Sequence, residues 1–374
     1  MTRDEWLTTN GQRPTTGAHL NYLRIVIEMR ALFTFVLLAI LACGGWLAWA
    51  LLEPVTPSGQ TFVLLHPGYS TRRIATELKS AGVIRNADAF ILWHYLHHRR
   101  SLKAGEYLFD KSARAIDIHQ RLAHGDVYFH TVVIPEGYNM FEIAQAIQAA
   151  GLGSSDDFLK AVTADTSMIS DIAPDAKSLE GYLFPNTYEF TRMQSMDEMV
   201  AAMVKQFRIV GREIGLIPDA KSPDPQHPDS ANNAATKNDV QQTVILASIV
   251  EKETAASEER PLVASVYLNR LAKNIPLQAD PSVIYAELLQ GSYSGALHHA
   301  DMQFSSAYNT YTHPGLPPGP IGNPGKTSLE AAMHPASTDY FYFVSNGNGH
   351  HRFAQSLEEH NRNVAAYRKE MAGR

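Results

Sequence analysis

Residues 31–52 read ALFTFVLLAILACGGWLAWALL, an apolar run of 22 residues without a charged side chain. As an α-helix rising about 1.5 Å per residue, this run would extend about 33 Å, which is enough to cross a hydrocarbon core of about 30 Å. Arg24 and Arg30 precede it, whereas the first basic residues after it are Arg72 and Arg73. The positive-inside tendency therefore predicts a single transmembrane helix, with residues 1–30 cytoplasmic and the bulk of the chain outside.

A cleaved signal peptide is the alternative to this anchor. The run is longer than the usual signal-peptide core of about 7–15 residues, and the sequence after Leu52 (EPV) is not a typical cleavage site. The first 28 residues are polar and patternless, and Met29 directly precedes Arg30 and the apolar run. We therefore hypothesise that translation starts at Met29.

The composition of the 374-residue chain sets its general class. With 19% charged and 45% hydrophobic residues, it is neither disordered nor a multi-span membrane protein, and its length suits two to three domains. A net charge of −6 without a long basic run argues against nucleic acid as a partner. The only cysteine, Cys43, lies in the apolar run, and histidines occur mainly as adjacent pairs such as His350–His351, so we predict no metal site.

Two similar strand–turn–helix segments follow a linker at 53–60. Residues 61–65 (TFVLL) predict a strand, and Ser70 can cap the helix after it; residues 131–134 (TVVI) lead through Gly137 into a second helix. We interpret the two segments as an internal repeat, with two unrelated segments as the alternative. Further along, residues 219–238 are rich in Pro, Asp, Asn and Ser and predict a polar surface insertion.

The helical segment 239–256 (DVQQTVILASIVEKETAA) contains the first candidate for catalysis, Glu251. Its neighbours three and four residues away are all small: Ala247, Ser248, Thr254 and Ala255. The apolar residues of this helix predict burial, which would raise the pKa of Glu251 and suit it to act as a general acid. An ordinary solvated glutamate near a helix end is the alternative. Glu253, on a different face, is expected to be solvated.

Polar and aromatic residues in two later loops are candidates for binding a sugar. Gln278 and Asp280 flank Ala279 before a proline, although Asp280 could equally cap a helix. Tyr308, Asn309 and Tyr311 interleave aromatic and amide groups, as suits a sugar with apolar faces and polar rims. The rigid Gly/Pro stretch that follows is either a cleft wall or a structural loop.

Several ordered motifs together resemble one family, the endolytic murein transglycosylases (MltG, YceG-like). They are EGYLFPNTY at 180–188, ASIVEKET at 247–254, LQxDP at 277–281, YNTY at 308–311, GLPPG at 315–319, NPG at 323–325 and HxF at 351–353. The resemblance extends from about residue 60 to the C-terminus. The sequence departs from the family pattern at Ala279, where Thr or Ser is more usual, and at the polar insertion.

The resemblance implies an α+β fold with a single N-terminal transmembrane helix at 31–52, a small LysM-like α/β subdomain at 61–130 and a larger mixed α+β catalytic domain at 131–374. It also implies a bacterial inner-membrane protein whose catalytic part is periplasmic. Its substrate would be nascent peptidoglycan, cut between MurNAc and GlcNAc to leave 1,6-anhydroMurNAc ends and so terminate glycan elongation. Penicillin-binding proteins and the elongation machinery are the implied protein partners.

In this interpretation Glu251 matches the catalytic glutamate of the family, and no cofactor is required. Glu251 would protonate the glycosidic oxygen and then take the proton of the MurNAc C6 hydroxyl as that hydroxyl attacks C1. Gln278, Asp280, Tyr308, Asn309 and Tyr311 would contact the sugar. A non-catalytic, membrane-anchored peptidoglycan-binding protein is the main alternative. A pyridoxal-phosphate lyase is a weaker one, because no lysine lies in a Gly-rich phosphate-binding context.

Overall fold

The structure, a computed structural model, describes residues 16–97, 101–218 and 237–372. Helices and short antiparallel strands alternate along the described chain, so the predicted α+β class is confirmed. The chain divides into two compact units, Met1–Tyr128 and Phe129–Arg374. Most of the predicted polar insertion, residues 219–236, lies outside the described residues.

Helix α1 (Thr16–Leu52) ends where the sequence predicted but begins well before residue 31. Its Asn21–Leu52 part is long and apolar enough to cross a membrane, and most of its side chains are exposed. The earlier start has a local cause, because residues 21–30 contain neither Gly nor Pro and carry an Arg24–Glu28 ion pair of 3.1 Å one turn apart. The predicted cytoplasmic segment 1–30 is therefore helical from Thr16 onwards.

The first unit contains a two-stranded antiparallel sheet and three further helices: β1 (Thr61–Leu65), α2 (Thr71–Ser80), α3 (Ala87–Leu96), β2 (Gly105–Phe109) and α4 (Ala115–His124). Thr61 pairs with Phe109 and Leu65 with Gly105. The side chain of Ser70 accepts a hydrogen bond from the amide of Arg73, as predicted for a helix cap. The order strand–helix–helix–strand is observed, and the LysM-like assignment stays a prediction.

The second unit contains two short sheets and eight helices among its described residues. β3 (His130–Val133) pairs with β4 (Thr187–Phe190), and β5 (Tyr342–Ser345) pairs with β6 (His351–Ala354). The helices are α5 (Met140–Ala149), α6 (Ser155–Ala164), α7 (Met196–Glu213), α8 (Lys237–Glu253), α9 (Arg260–Ala272), α10 (Asp280–Gln290), α11 (Lys326–Met333) and α12 (Leu357–Ala372). The second predicted strand–turn–helix segment is thus β3 followed by α5.

Helix α8 is the central helix of this unit. Its apolar side chains are almost completely buried, including Val244, Ala247, Ile249 and Val250, and it packs against α9 and α11. The helix ends at Glu253, three residues before the predicted Ala256, so Thr254 and Ala255 lie beyond it. Because so much apolar area is removed from water, the position of the α8 C-terminus is fixed by packing.

A buried carboxyl group, that of Glu180, joins the loops around the end of α8. It accepts hydrogen bonds from the amide of Met140 (2.8 Å), the hydroxyl of Tyr285 (3.0 Å) and the side-chain amide of Asn323 (2.7 Å). Asn323 in turn accepts from the amide of Leu183 (2.8 Å) and donates to the carbonyl of Tyr138 (2.9 Å). Glu180 and Asn323 thereby tie together segments more than 100 residues apart in sequence.

We expect Asn323→Ala to lower the free energy of unfolding by about 3 kcal/mol, because Glu180 and the Leu183 amide would both lose a buried partner. Asn361→Ala on the exposed side of α12 is the matched control and should change it by less than about 0.5 kcal/mol. Urea unfolding in detergent, followed by far-ultraviolet circular dichroism, measures the difference. All four tryptophans precede residue 129, so their fluorescence is an internal reference for the first unit. Equal midpoints for both variants would contradict this role.

Candidate active site

Two carboxylates lie in the last turn of α8, Glu251 and Glu253. At 3.6 residues per turn, positions two apart are separated by about 200° around the helix axis, so the two side chains face nearly opposite sides. Each has its own surroundings, and the sequence predicted catalysis for the first and solvation for the second.

Glu251 is buried, as predicted, but its surroundings are polar rather than apolar. Only 5% of its side chain is exposed. One carboxylate oxygen accepts from the guanidinium of Arg260 at 2.8 Å, and the other accepts from the main-chain amide of Gly325 at 2.9 Å. Arg260 also donates to the hydroxyl of Thr327. Both oxygens of Glu251 therefore have polar partners, which the apolar helix face did not indicate.

A second carboxylate, Glu136, lies beside this ion pair. One of its oxygens is 3.6 Å from the guanidinium of Arg260, and its carboxyl group fills the space next to the Cα atom of Gly325. Burial and the negative charge of Glu251 raise the pKa of Glu136, although Arg260 opposes the shift. Two acidic groups thus share one arginine, and a side chain at position 325 would collide with Glu136.

The expectation that Glu253 is solvated was wrong. Glu253 is partly buried and lines a cavity of about 280 Å³. The pKa of Glu253 is raised to about 7, mainly by burial. The charge of Asp280 also raises this pKa, while a hydrogen bond from Tyr267 and the charge of Arg270 lower it. A raised pKa of this kind keeps a carboxyl group protonated closer to neutral pH, as a general acid requires.

The cavity is mainly polar and is formed by α8, α9, α10, β5, α12 and two loops. Its volume lies just below the range of about 300–1,000 Å³ typical of ligand pockets. Seven of its lining residues have polar side chains and two are apolar: Glu253, Tyr267, Arg270, Gln278, Asp280, Tyr311 and His360, with Leu277 and Phe343. Three of the five predicted sugar contacts therefore meet here, next to Glu253 and away from the predicted Glu251.

The loop that carries Gln278 and leads into Asp280, the first residue of α10, is held in a strained shape. Gln278 has a φ of 54°, a left-handed conformation that residues other than glycine rarely adopt. Its amide donates to the carbonyl of Thr310 (3.1 Å), and the next amide, that of Ala279, donates to the Thr310 hydroxyl (2.9 Å). The hydroxyl of Tyr311 donates to Asp280 at 2.5 Å. Residues 277–282 and 308–311 are therefore fastened to each other at the cavity.

The other two predicted sugar contacts have different surroundings. Asn309 is completely buried, and its amide donates to the carbonyls of Met302 and Phe304 while its oxygen accepts from the amide of Tyr311. Asn309 thus holds the loop in shape. The ring of Tyr308 packs against that of Tyr285, with centroids 5.2 Å apart. Direct sugar contact by Asn309 or Tyr308 stays a prediction, which these contacts do not support.

The Gly/Pro loop lines a second depression in this unit. Leu316, Pro317 and Pro318 contribute to a groove of about 550 Å³, together with Gln241 and Asp175. This groove is larger than the Glu253 cavity. Asp175 is the only titratable side chain that lines it among the described residues, and it has no partner there for proton transfer. The smaller cavity is therefore the better candidate for acid–base chemistry.

The histidine pair near the C-terminus includes one residue with a hydrogen-bonded side chain, His351. Nδ1 of His351 lies 2.7 Å from one oxygen of Glu259, and its main-chain amide donates to the other at 3.0 Å. Burial by itself raises the pKa of Glu259, but these two donors outweigh it and the net shift is downward. The contact between His351 and Glu259 therefore links β6 to the turn that precedes α9.

Sequence reasoning missed Tyr267, Arg270 and His360 as cavity residues. Tyr267 and Arg270 lie at helical spacing in a segment that predicts core packing, and only the apposition of β5 and α12 makes them part of a site. The two glutamates at the end of α8 could have indicated a site on both faces of the helix. Negative charges are unfavourable at a helix C-terminus and need compensating partners there.

Comparison with known proteins supports the motif-based resemblance. Residues 63–366 match the model of the YceG-like family. The chain is 32% identical over 337 residues to the endolytic murein transglycosylase of Bacillus subtilis, covering 85% of this chain and 88% of that protein. It is 30% identical over 375 residues to the protein of the same name from Streptococcus pneumoniae D39, covering 89% of this chain and 64% of that longer protein.

A solved structure is also similar. The crystal structure of a yceG-like protein from Listeria monocytogenes superposes with a TM-score of 0.52 at 32% sequence identity, covering 81% of this chain and 98% of that one. The family match spans most of the chain, and the motifs around α8 lie within it. The chain therefore belongs to the YceG-like family.

Proposed function

We propose that this chain is an endolytic lytic transglycosylase that cleaves nascent, uncrosslinked peptidoglycan strands between MurNAc and GlcNAc. The observation that carries the proposal is the partly buried Glu253, with a pKa of about 7, in a polar cavity beside Asp280, Gln278 and Tyr311. The relatives named endolytic murein transglycosylase support peptidoglycan as the substrate. Cleavage would leave 1,6-anhydroMurNAc ends and terminate elongation of the strand.

In the proposed reaction the carboxyl group of Glu253 first donates a proton and later takes one up. Protonated Glu253 donates to the glycosidic oxygen as the bond between that oxygen and C1 of MurNAc breaks. The C6 hydroxyl of the same MurNAc then attacks C1 and gives its proton to the Glu253 carboxylate. The products are a 1,6-anhydro end and a free hydroxyl on the departing GlcNAc, and neither water nor a cofactor is consumed. Holding C6 near C1 replaces a bimolecular attack.

Glu251, the residue predicted from the sequence, is the second candidate for proton transfer. Both of its oxygens already accept hydrogen bonds, from Arg260 and from Gly325. We therefore propose that Glu251 holds the end of α8 against residues 325–327 and that Glu253 transfers the proton.

The apolar helix supports a membrane-anchored enzyme. We propose that the basic residues before it lie in the cytoplasm and the second unit outside the bacterial inner membrane, where peptidoglycan is found. Contacts with penicillin-binding proteins and the elongation machinery remain predictions.

The two glutamates form a matched pair for testing this assignment. We expect Glu253→Gln to lower the rate of 1,6-anhydro product formation by about 10²–10⁴-fold with little change in thermal stability, because the amide keeps the shape but cannot donate the proton. Glu251→Gln should keep much of the activity but unfold at a lower temperature, since it weakens a buried ion pair. Mass spectrometry of products from uncrosslinked strands measures both.

The reverse pattern, with activity lost only in Glu251→Gln, would restore Glu251 as the proton donor. Full product formation by both variants would show that neither carboxylate transfers the proton. Binding of strands without any product from the parent protein would instead favour the non-catalytic, peptidoglycan-binding alternative.

The pH profile provides a separate prediction. Because the acid form of Glu253 donates, kcat/KM should fall as the pH rises through about 7. The charge of Asp280 raises the pKa of Glu253, so Asp280→Asn should move this alkaline limb to lower pH. The exposed Asp339→Asn is the control and should leave the limb in place. If the alkaline limb of Asp280→Asn stays at the same pH as in the parent protein, a group other than Glu253 is responsible for it.

A further inference from the structure

The Glu253 cavity contains a buried cation, Arg270 of α9. Arg270 is the only arginine or lysine that lines the cavity among the described residues, and only 8% of the residue is exposed. In the described part of the chain, no carboxylate oxygen lies within 4.0 Å of its side-chain nitrogens. A cation that is withdrawn from water without a counter-ion is unfavourable, and an anionic partner would stabilise it.

The fold uses three of the five N–H groups of this side chain. Nε donates to the carbonyl of Phe341 (2.7 Å), and Nη1 donates to the carbonyls of Leu277 (2.8 Å) and Pro276 (3.1 Å). The two N–H groups on Nη2 remain. Nη2 has no hydrogen-bond partner among the described residues, yet it is not sealed from solvent as Nδ1 of His360 is. It is therefore accessible to a ligand.

The guanidinium end of Arg270 lies at the wall of the cavity. Its Nη1 atom contacts two cavity residues, the carbonyl of Leu277 and, at 3.4 Å, the side-chain oxygen of Gln278. Nη2 is bonded to the same carbon atom as Nη1, so it lies beside the same wall. That carbon atom is 5.1 Å from the centre of the Tyr342 ring, which covers one face of the guanidinium. These contacts fix the direction in which Nη2 presents its two N–H groups.

A carboxylate is the ligand that matches these properties. It supplies the negative charge that Arg270 lacks, and its oxygens accept charge-assisted hydrogen bonds, which are stronger than those to a neutral hydroxyl or carbonyl. The carboxylate of Asp280 in the same cavity accepts a hydrogen bond from Tyr311 instead (2.5 Å). Peptidoglycan strands carry carboxylates in two places, on the lactyl group of MurNAc where the stem peptide is absent and on the stem peptide itself.

We propose that Nη2 of Arg270 binds a carboxylate of the peptidoglycan strand, and that Arg270 thereby makes the Glu253 cavity selective for anionic strands. The proposal rests on the proposed function, because it takes peptidoglycan as the substrate. None of the sequence motifs indicated this role. It also bears on the reaction, because the charge of Arg270 lowers the pKa of Glu253 and a bound carboxylate would offset that charge.

The test changes the substrate as well as the protein. Uncrosslinked strands are prepared with their stem peptides and, separately, with the peptides removed so that the lactyl carboxylates are free. A portion of each preparation is amidated, which neutralises the carboxylates and keeps their size. Release of 1,6-anhydro ends by the full chain in detergent gives KM for each substrate. Arg270→Gln removes the cation, and Arg362→Gln, at an exposed arginine of α12 that pairs with Glu358, is the control.

We expect amidation to raise KM of the parent protein about tenfold to a hundredfold, which corresponds to one lost hydrogen bond between charged groups. An effect on peptide-bearing strands identifies the stem peptide as the source of the carboxylate, and an effect on stripped strands identifies the lactyl group. In Arg270→Gln, KM for free and amidated strands should agree within about twofold, whereas Arg362→Gln should behave like the parent.

Two results would overturn the proposal while leaving the proposed function intact. One is an equal KM for free and amidated strands of both types in the parent, and the other is a preference for free strands that survives in Arg270→Gln. Because Arg270 also holds main-chain carbonyls, circular dichroism verifies that this variant folds. If it does not, Arg270→Lys replaces it, which keeps a cation but loses the guanidinium geometry. The preference should then shrink, and an undiminished preference would overturn the proposal.

Failure of the proposed function has a different signature. If the parent protein releases no product, the same strands are used as a binding probe for the parent and the variants. Tighter binding of free than of amidated strands in the parent and in Arg362→Gln, but not in Arg270→Gln, would support the carboxylate site in a non-catalytic protein. Binding that is absent, or equal for free and amidated strands, would overturn it.

Discussion

The carboxyl group of Glu180 is buried at the point where the loops around the end of α8 meet. Burial raises its pKa to about 7, so the fold tolerates it only because three donors from separate segments reach it. Asn323 supplies one of these donors and is followed two residues later by Gly325, whose amide binds Glu251. The hydrogen bonds that Glu180 accepts therefore also fix the loop whose Gly325 amide binds Glu251. The positions of α5, α10 and the NPG loop are consequently interdependent.

This arrangement allows α8 to end in two negative side chains. The C-terminal end of a helix carries partial negative charge, and acidic residues there are destabilising unless they are compensated. Glu251 is compensated by Arg260, and it closes the helix against the rest of the unit. Glu253 accepts a hydrogen bond from Tyr267, and burial together with the charge of Asp280 raises its pKa. Two neighbouring carboxyl groups therefore have different surroundings, a common way to separate a structural acid from a reactive one.

Much of the local structure could be predicted from the sequence, because its causes lie within a few residues. Ser70 caps α2 through an amide three residues away, and Pro261 lies in the first turn of α9. The site could be predicted only in part. Helical periodicity places Glu251 and Glu253 on different faces, but it does not indicate which loop covers which face. The cavity is completed by His360, more than 100 residues later, and local patterns carry no information about such an apposition.

The contacts of Asp280 bear on the type of reaction that the cavity suits. A retaining glycosidase needs a second carboxylate free to act as a nucleophile, and an inverting one needs a free base for water. Here one oxygen of Asp280 accepts the hydroxyl of Tyr311 at 2.5 Å, and its charge adds to the effect of burial in raising the pKa of Glu253. The proposed reaction instead requires a nucleophile that comes from the substrate. Intramolecular attack by a sugar hydroxyl satisfies that requirement, because proton donation and proton return then take place at the same residue.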